Sequence, residues 1–272
     1  MPASHAIATP VTPQTNGHLA AARHAFSTPE RVGLTADERS ALAGAAQPPL
    51  HHEGLKLARW TLGSGPRVLL VHGWNSRGSH LLGLATSLVD AGFSVTLFDL
   101  PGHGDSGGQA ASVVHAGRAL RAVMADLGEI HGVIAHSMGS AASLHAFAHG
   151  AAVQRSVHLA GPSSLTHMVQ GLARAHGLQA ADAATFAAWV ERFIGTPIAH
   201  VDLERLRHGL RHPGLIVHDR EDRTVPFAES EALHQAWVGS RFEPVSGLGH
   251  RRLLADATVI ARSVAFIAGV DA

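Results

Sequence analysis

Three well-separated parts of the chain carry side chains suited to nucleophilic acyl transfer. The first is Ser137, at the centre of Ala135-His-Ser-Met-Gly139, between a short apolar run and a stretch with helical spacing. A sharp strand-to-helix turn of this kind lifts a hydroxyl clear of the backbone, and small residues two positions to either side keep strand and helix from colliding. Gly139 meets that need; Ala135 meets it less generously, where the usual pattern has glycine. A serine hydroxyl alone is a poor nucleophile. It needs a base within hydrogen-bond reach, and the base needs a group that orients it. The segment 215–226, LIVHDREDRTVP, offers Asp219 and Asp222 in a loop after an apolar run. The segment 246–250, SGLGH, offers His250 on a glycine-flanked loop that can carry an imidazole over the serine.

Two further loops complete the pattern. Residues 72–78 read HGWNSRG after the run VLLVH, and 98–106 read FDLPGHGDS. In the second, glycine and proline make a tight turn, and Asp99 is expected to bond nearby backbone. Together these segments resemble the α/β-hydrolase superfamily, of the general kind that includes serine aminopeptidases, monoacylglycerol lipases and small esterases. The resemblance covers roughly residues 55–268, with four motifs in the family's order. It implies Ser137 as nucleophile, His250 as base and Asp222 as the orienting acid, with Asp219, which stands where the family has glycine, as second choice. It also implies an oxyanion hole formed by the backbone N–H groups of Trp74 and Met138. The mechanism implied is acyl transfer to water with no cofactor. The expected substrate is a small-molecule carboxylic ester of small or medium size. An acyltransferase with the same triad, a cofactor-free peroxidase-like member and a non-catalytic ligand-binding member remain as alternatives. Serine at 137 argues against dehalogenase chemistry, which uses aspartate there.

The elements that must position these groups follow from hydrophobic periodicity. Strands are predicted at 56–62, 68–72, 93–98, 133–136, 157–160, 215–218 and 241–245. Helices are predicted at 79–91, 112–127, 140–149 and 252–267. This alternation predicts an α/β fold: a mostly parallel sheet with helices on both faces. Between 163 and 211 the alternation stops, and three helices, near 164–176, 181–194 and 202–211, predict a helical cap inserted into the domain at 50–272. Phe186, Trp189, Val190, Phe193 and Ile194 form one stripe that docks the cap. Residues 1–49 are rich in Ala, Pro and Thr and predict a partly ordered N-terminal arm, with a short helix near 36–43 started by a capping box at Thr35 and Glu38.

Composition removes other functions. Of 272 residues none is cysteine, which excludes disulfides and thiol catalysis. Net charge is zero with histidine neutral, so no field draws the chain to nucleic acid. The 22 histidines are scattered and none sits in a His-Glu-x-x-His pattern, so no metal is expected. No run approaches the roughly 20 apolar residues of a membrane span. The first ten residues have neither a basic start nor an apolar run, and the cytoplasm is the expected compartment. Oligomeric state is not legible.

Overall fold

The computed structural model describes residues 13–270, with side chains from residue 17; the first twelve residues of the expected arm lie outside it. The chain begins with α1 (Pro13–Ser27) and α2 (Ala36–Ala41), then a two-stranded hairpin of β1 (Leu50–His52) and β2 (Leu55–Leu57). The main sheet follows: β3 (Arg59–Leu62), β4 (Arg67–Val71), β5 (Ser94–Phe98), β6 (Gly132–His136), β7 (Arg155–Leu159), β8 (Gly214–Asp219) and β9 (Ser240–Val245). Its spatial order is β3-β5-β4-β6-β7-β8-β9, with β3 antiparallel to β5 and every other pair parallel. Parallel strands need helical crossovers, so both faces of the sheet are covered, and β6 and β8 are buried at every position.

One face holds α4 (Val113–Leu127), α5 (Met138–Ala148) and α9 (Phe227–Ala236), whose apolar side chains share a core with Leu69, Val71 and Val133. The other face holds α3 (Leu82–Asp90) and α11 (Ala257–Ala268), packed on Val68, Leu70 and Ile134. The two edges of the sheet differ. At β3 the outer side is bridged by Ala46 to Trp60, with Thr61 N–H donating to the Ala45 carbonyl and Gln47 N–H to the Arg59 carbonyl. At the other edge, β9 is half-exposed and contains Pro244.

Between β7 and β8 lie α6 (Leu165–Ala175), α7 (Ala180–Ile194) and the single turn α8 (Leu203–Leu206). The helix expected across 202–211 is instead α8 set between 3-10 turns at Ile198–Val201 and Arg207–Gly209. The helix expected at 252–267 is divided into α10 (Gly249–Arg252) and α11, which Asp256 caps by accepting from the Val259 N–H. The apolar stripe of α7 docks largely on α1: Phe26, itself 5% exposed, sets its ring edge-on to Phe186, Trp189 and Phe193 at 6.1, 6.2 and 6.1 Å. The arm is therefore structured at 13–27 and forms part of the cap's seat. No helix among the described residues is long and apolar enough to cross a membrane.

Candidate active site

The turn from β6 into α5 places Ser137 at the C-terminal edge of the sheet. Its backbone is in the left-handed half of the map, at φ 53° and ψ −124°. A non-glycine residue there costs about 1–3 kcal/mol and persists only where its surroundings over-determine it. Here the Ser137 N–H donates to the Leu159 carbonyl at 2.9 Å. A side chain at Gly139 would put Cβ 2.4 Å from the Val71 carbonyl oxygen and 2.5 Å from that of His72, so the helix enters where only glycine fits. Ala135 is fully buried in β6 and its methyl group is accommodated, which removes the need for glycine at that position.

His250 lies in α10, carried there by Gly247 and Gly249, both at positive φ. Its Nε2 is 2.9 Å from Ser137 Oγ, and its Nδ1 is 2.7 Å from Asp222 Oδ2. A carboxylate can only accept, so Nδ1 carries the proton and Nε2 presents its lone pair to the serine hydroxyl. Asp222 follows β8, and its side chain is fully buried. Burial pushes its carboxyl up, but hydrogen bonds from His218 and His250 and from the Val225 and Thr224 N–H groups outweigh this and hold it well below the usual carboxylate range. Asp219 does different work. Its Oδ1 accepts from the Glu221 N–H at 2.7 Å and its Oδ2 from the Leu248 N–H at 2.6 Å, so it ties the acid loop to the loop carrying His250. Burial raises its pKa, and backbone donors at Glu221, Leu248 and Gly249 bring it below the normal value.

Two buried histidines support this arrangement. His218, in β8, sits with Nε2 3.1 Å from the Val225 carbonyl and 3.2 Å from Asp222 Oδ2, while its Nδ1 is 2.7 Å from Ser230 Oγ. Both neighbours of Nε2 accept, so the proton lies there and the Ser230 hydroxyl donates to Nδ1. His136, next to the serine, donates through Nε2 to the His250 carbonyl at 2.9 Å, with the two rings 4.8 Å apart. Burial, then the neighbouring His250, lowers the His136 pKa to about 3, so it stays neutral. The signal was present: histidine occurs at the last or penultimate position of strands that end at the site.

The loop after β4 passes against the serine. A Cβ at Gly73 would lie 2.8 Å from Ser137 Cβ, which puts the Gly73–Trp74 backbone beside that serine. The Met138 N–H, at the first turn of α5, and the Trp74 N–H donate to no backbone acceptor among the described residues. His72 fixes this loop from below. Its Nδ1 donates to the Gly73 carbonyl at 2.8 Å and its Nε2 accepts the Leu100 N–H at 2.9 Å. Asp99 accepts from the N–H groups of Gly78 and Asp105, both at 2.8 Å, and lies 3.2 Å from the buried Arg77 guanidinium.

Ser137 is 8% exposed. Beside the first turns of α5 the cap leaves an apolar cavity of about 10 Å³, bounded by Val113, Ala141, Met168, Val201 and Leu206. A far larger cleft, about 770 Å³, opens between α4 and the loop before β7, at the opposite ends of the strands. Its Arg118 is paired with Glu53, and it carries no nucleophile. Among the described residues no three acidic or histidine side chains are grouped to hold a metal ion.

A strained serine between strand and helix, then a buried carboxylate and an imidazole in that chain order, mark one superfamily, and the family model for the alpha/beta hydrolase fold matches residues 66–210. The chain belongs to that family. Among characterised relatives, it is 50% identical over 46 residues to a pimeloyl-[acyl-carrier protein] methyl ester esterase of Methylococcus capsulatus, a match spanning 17% of this chain and 18% of that protein. Among solved structures, an esterase of Pyrococcus furiosus superposes with TM-score 0.68 at 19% identity, covering 90% of this chain and 98% of its own. An esterase of Exiguobacterium antarcticum gives 0.61 at 17%, covering 83% and 99%. At these identities the structural likeness speaks to the fold.

Proposed function

We propose that the protein is a serine esterase that cleaves a small or medium carboxylic ester through an acyl-serine intermediate. The observation that carries this is the unbroken line from Ser137 Oγ to His250 Nε2, at 2.9 Å, and from His250 Nδ1 to Asp222 Oδ2, at 2.7 Å. His250 takes the Ser137 proton as Oγ attacks the ester carbonyl. The imidazolium formed is stabilised by Asp222 and then delivers the proton to the departing alkoxide. Water repeats the cycle on the acyl-serine, giving up a proton to His250 and releasing the acid. The N–H groups of Trp74 and Met138 face the oxyanion of each tetrahedral intermediate. No step needs a cofactor.

The esterase names of the relatives favour an ester over a peptide. Labelling with a fluorophosphonate probe tests the nucleophile. The wild-type chain should be labelled and Ser137→Ala should not, with ester turnover falling on the order of 10⁶-fold. A folded wild-type chain that resists the probe would overturn the reading. Adding alcohols to p-nitrophenyl butyrate turnover then separates hydrolysis from acyl transfer, because only transfer yields a new ester.

A further inference from the structure

Residues 28–32, which precede the hydrolase domain, run along the loops after β4 and β5 and are bonded to both. The Glu30 N–H donates to Asn75 Oδ1 at 2.9 Å. Arg31 donates through Nη1 to the carbonyls of Gly104 and Ser106, at 2.6 and 2.8 Å, and through Nη2 to that of Gly108 at 2.5 Å. From the other side, Arg77 Nη1 donates to the Val32 carbonyl at 3.0 Å. Upstream, the Ser27 carbonyl accepts from the Ala111 N–H at 2.8 Å, so the segment is held on either side of Glu30, and between these anchors it offers one donor to Asn75.

Asn75 follows Trp74 directly and holds a left-handed backbone at φ 49°. Asparagine tolerates that region, but tolerance does not fix where the turn lies. The loop is pinned upstream by His72, and downstream by the Gly78 N–H to Asp99. Between those pins, the Asn75 side chain is tied to Glu30. A slide of residues 73–75 would carry the Trp74 N–H with it, because Gly73 already runs in contact with Ser137.

We infer that Asn75 is a positioning residue for the oxyanion donor, held in register by the N-terminal segment through the Glu30 N–H. This rests on the reading of the Trp74 N–H as an oxyanion donor. Loss of such a donor costs roughly 100- to 1000-fold in turnover, and misplacement by about 1 Å costs up to about 100-fold. A loosened donor falls below both.

The test uses the full chain, p-nitrophenyl butyrate, and butylboronic acid as a probe that becomes tetrahedral on the serine. Asn75→Gly deletes the acceptor while leaving φ 49° unstrained; Glu30→Pro deletes the donor. Each should lower kcat about tenfold with KM within about twofold, and weaken boronate binding by a similar factor. The double variant should be no slower than either single, because both remove one bond. Wild-type kcat in Asn75→Gly would reduce Asn75 to a conformational role. Additive losses would overturn the clamp, and a change confined to KM would move the segment into substrate binding. A wild-type chain that neither turns over the ester nor takes a fluorophosphonate would remove the hydrolase reading, and the oxyanion role with it.

Discussion

In the loop after β8, each carboxylate oxygen of Asp219 and Asp222 meets a directed donor: a backbone N–H, or the imidazoles of His218 and His250. In the cap, α7 is attached through Phe186, Val190 and Ile194, all buried, and through the ring stack of Trp189 and Phe193, 5.2 Å apart. Its polar ties gather at the ends of the insertion. Asp202 accepts from Ser164 and Thr166, and the buried Glu229 accepts from Ser163 and lies 2.6 Å from His167 Nδ1. Hydrogen bonds lose strength within tenths of an ångström and a few tens of degrees, whereas apolar burial is non-directional. The acid loop is built for geometry. The cap is built for coverage, and α7 is held mainly by non-directional apolar burial.

Several changes would break or sharpen that contrast. Acid should produce the largest effect, and it should act beneath both regions. Burial, the leading cause in each case, lowers the pKa of His136 and His158 to about 3 and of His103, His145 and His212 to about 4. Their folded values lie below the unfolded value of about 6.5, so the stability they contribute is complete above that pH and is lost as pH falls through their folded values. Each adds up to about 1.4 kcal/mol per pH unit within that window. Urea midpoints should hold steady from pH 7 to 8 and drop steeply from pH 6 to 5. A flat profile would mean that these rings are solvated. Asp222 has the opposite charge preference and stays ionised throughout this range.

Asp222→Asn comes next. It leaves the loop's shape but spoils the imidazole's tautomer, and kcat should fall on the order of 10⁴-fold with little change in KM or melting temperature. Phe186→Ala should reverse that pattern. It costs about 3–5 kcal/mol by chemical denaturation, while kcat on a short ester stays within about threefold. A cap that must be rigid for chemistry would show the kcat loss instead. Asp219→Ala is the mildest. It leaves the Leu248 and Gly249 N–H groups without their carboxylate, costing about 1–3 kcal/mol, and the freed His250 loop lowers kcat about tenfold.

The parts legible in the sequence are those whose rules are local. Gly139 marks a turn where a Cβ has no room, and Gly247 and Gly249 mark the loop that swings His250 into place. The buried strands announce themselves as apolar runs. The missing parts depend on contacts distant in sequence. α1 reads as an alanine-rich arm because its own face is weak; Ala22 and Phe26 become core residues only once α7 lies across them. α9 follows Pro226 and buries only Glu229, Ser230 and Leu233. The strand-end positions of His218 and His136 were visible, but the partners that give them their roles, Asp222 and Ser230 for one and the His250 carbonyl for the other, come into view only with the fold. The resemblance ranked Asp222 ahead of Asp219; the different work of the two shows only in the fold, where His250 Nδ1 lies against Asp222 and Asp219 holds the Leu248 N–H.

The covering of β3 by residues 45–47 has a consequence for association. An open sheet grows by accepting another strand at a free edge, and natural proteins forestall this with a covering segment or a proline. Here Ala45 and Gln47 already occupy the main-chain groups of Thr61 and Arg59, so a second molecule can add at that side only by peeling the covering segment away. At β9 the ladder is interrupted by Pro244, which has no N–H to give, and flanked by the charged pair of Glu243 and Arg262. Both edges of the main sheet are therefore poor templates for a further strand, and growth of the sheet by edge pairing is disfavoured.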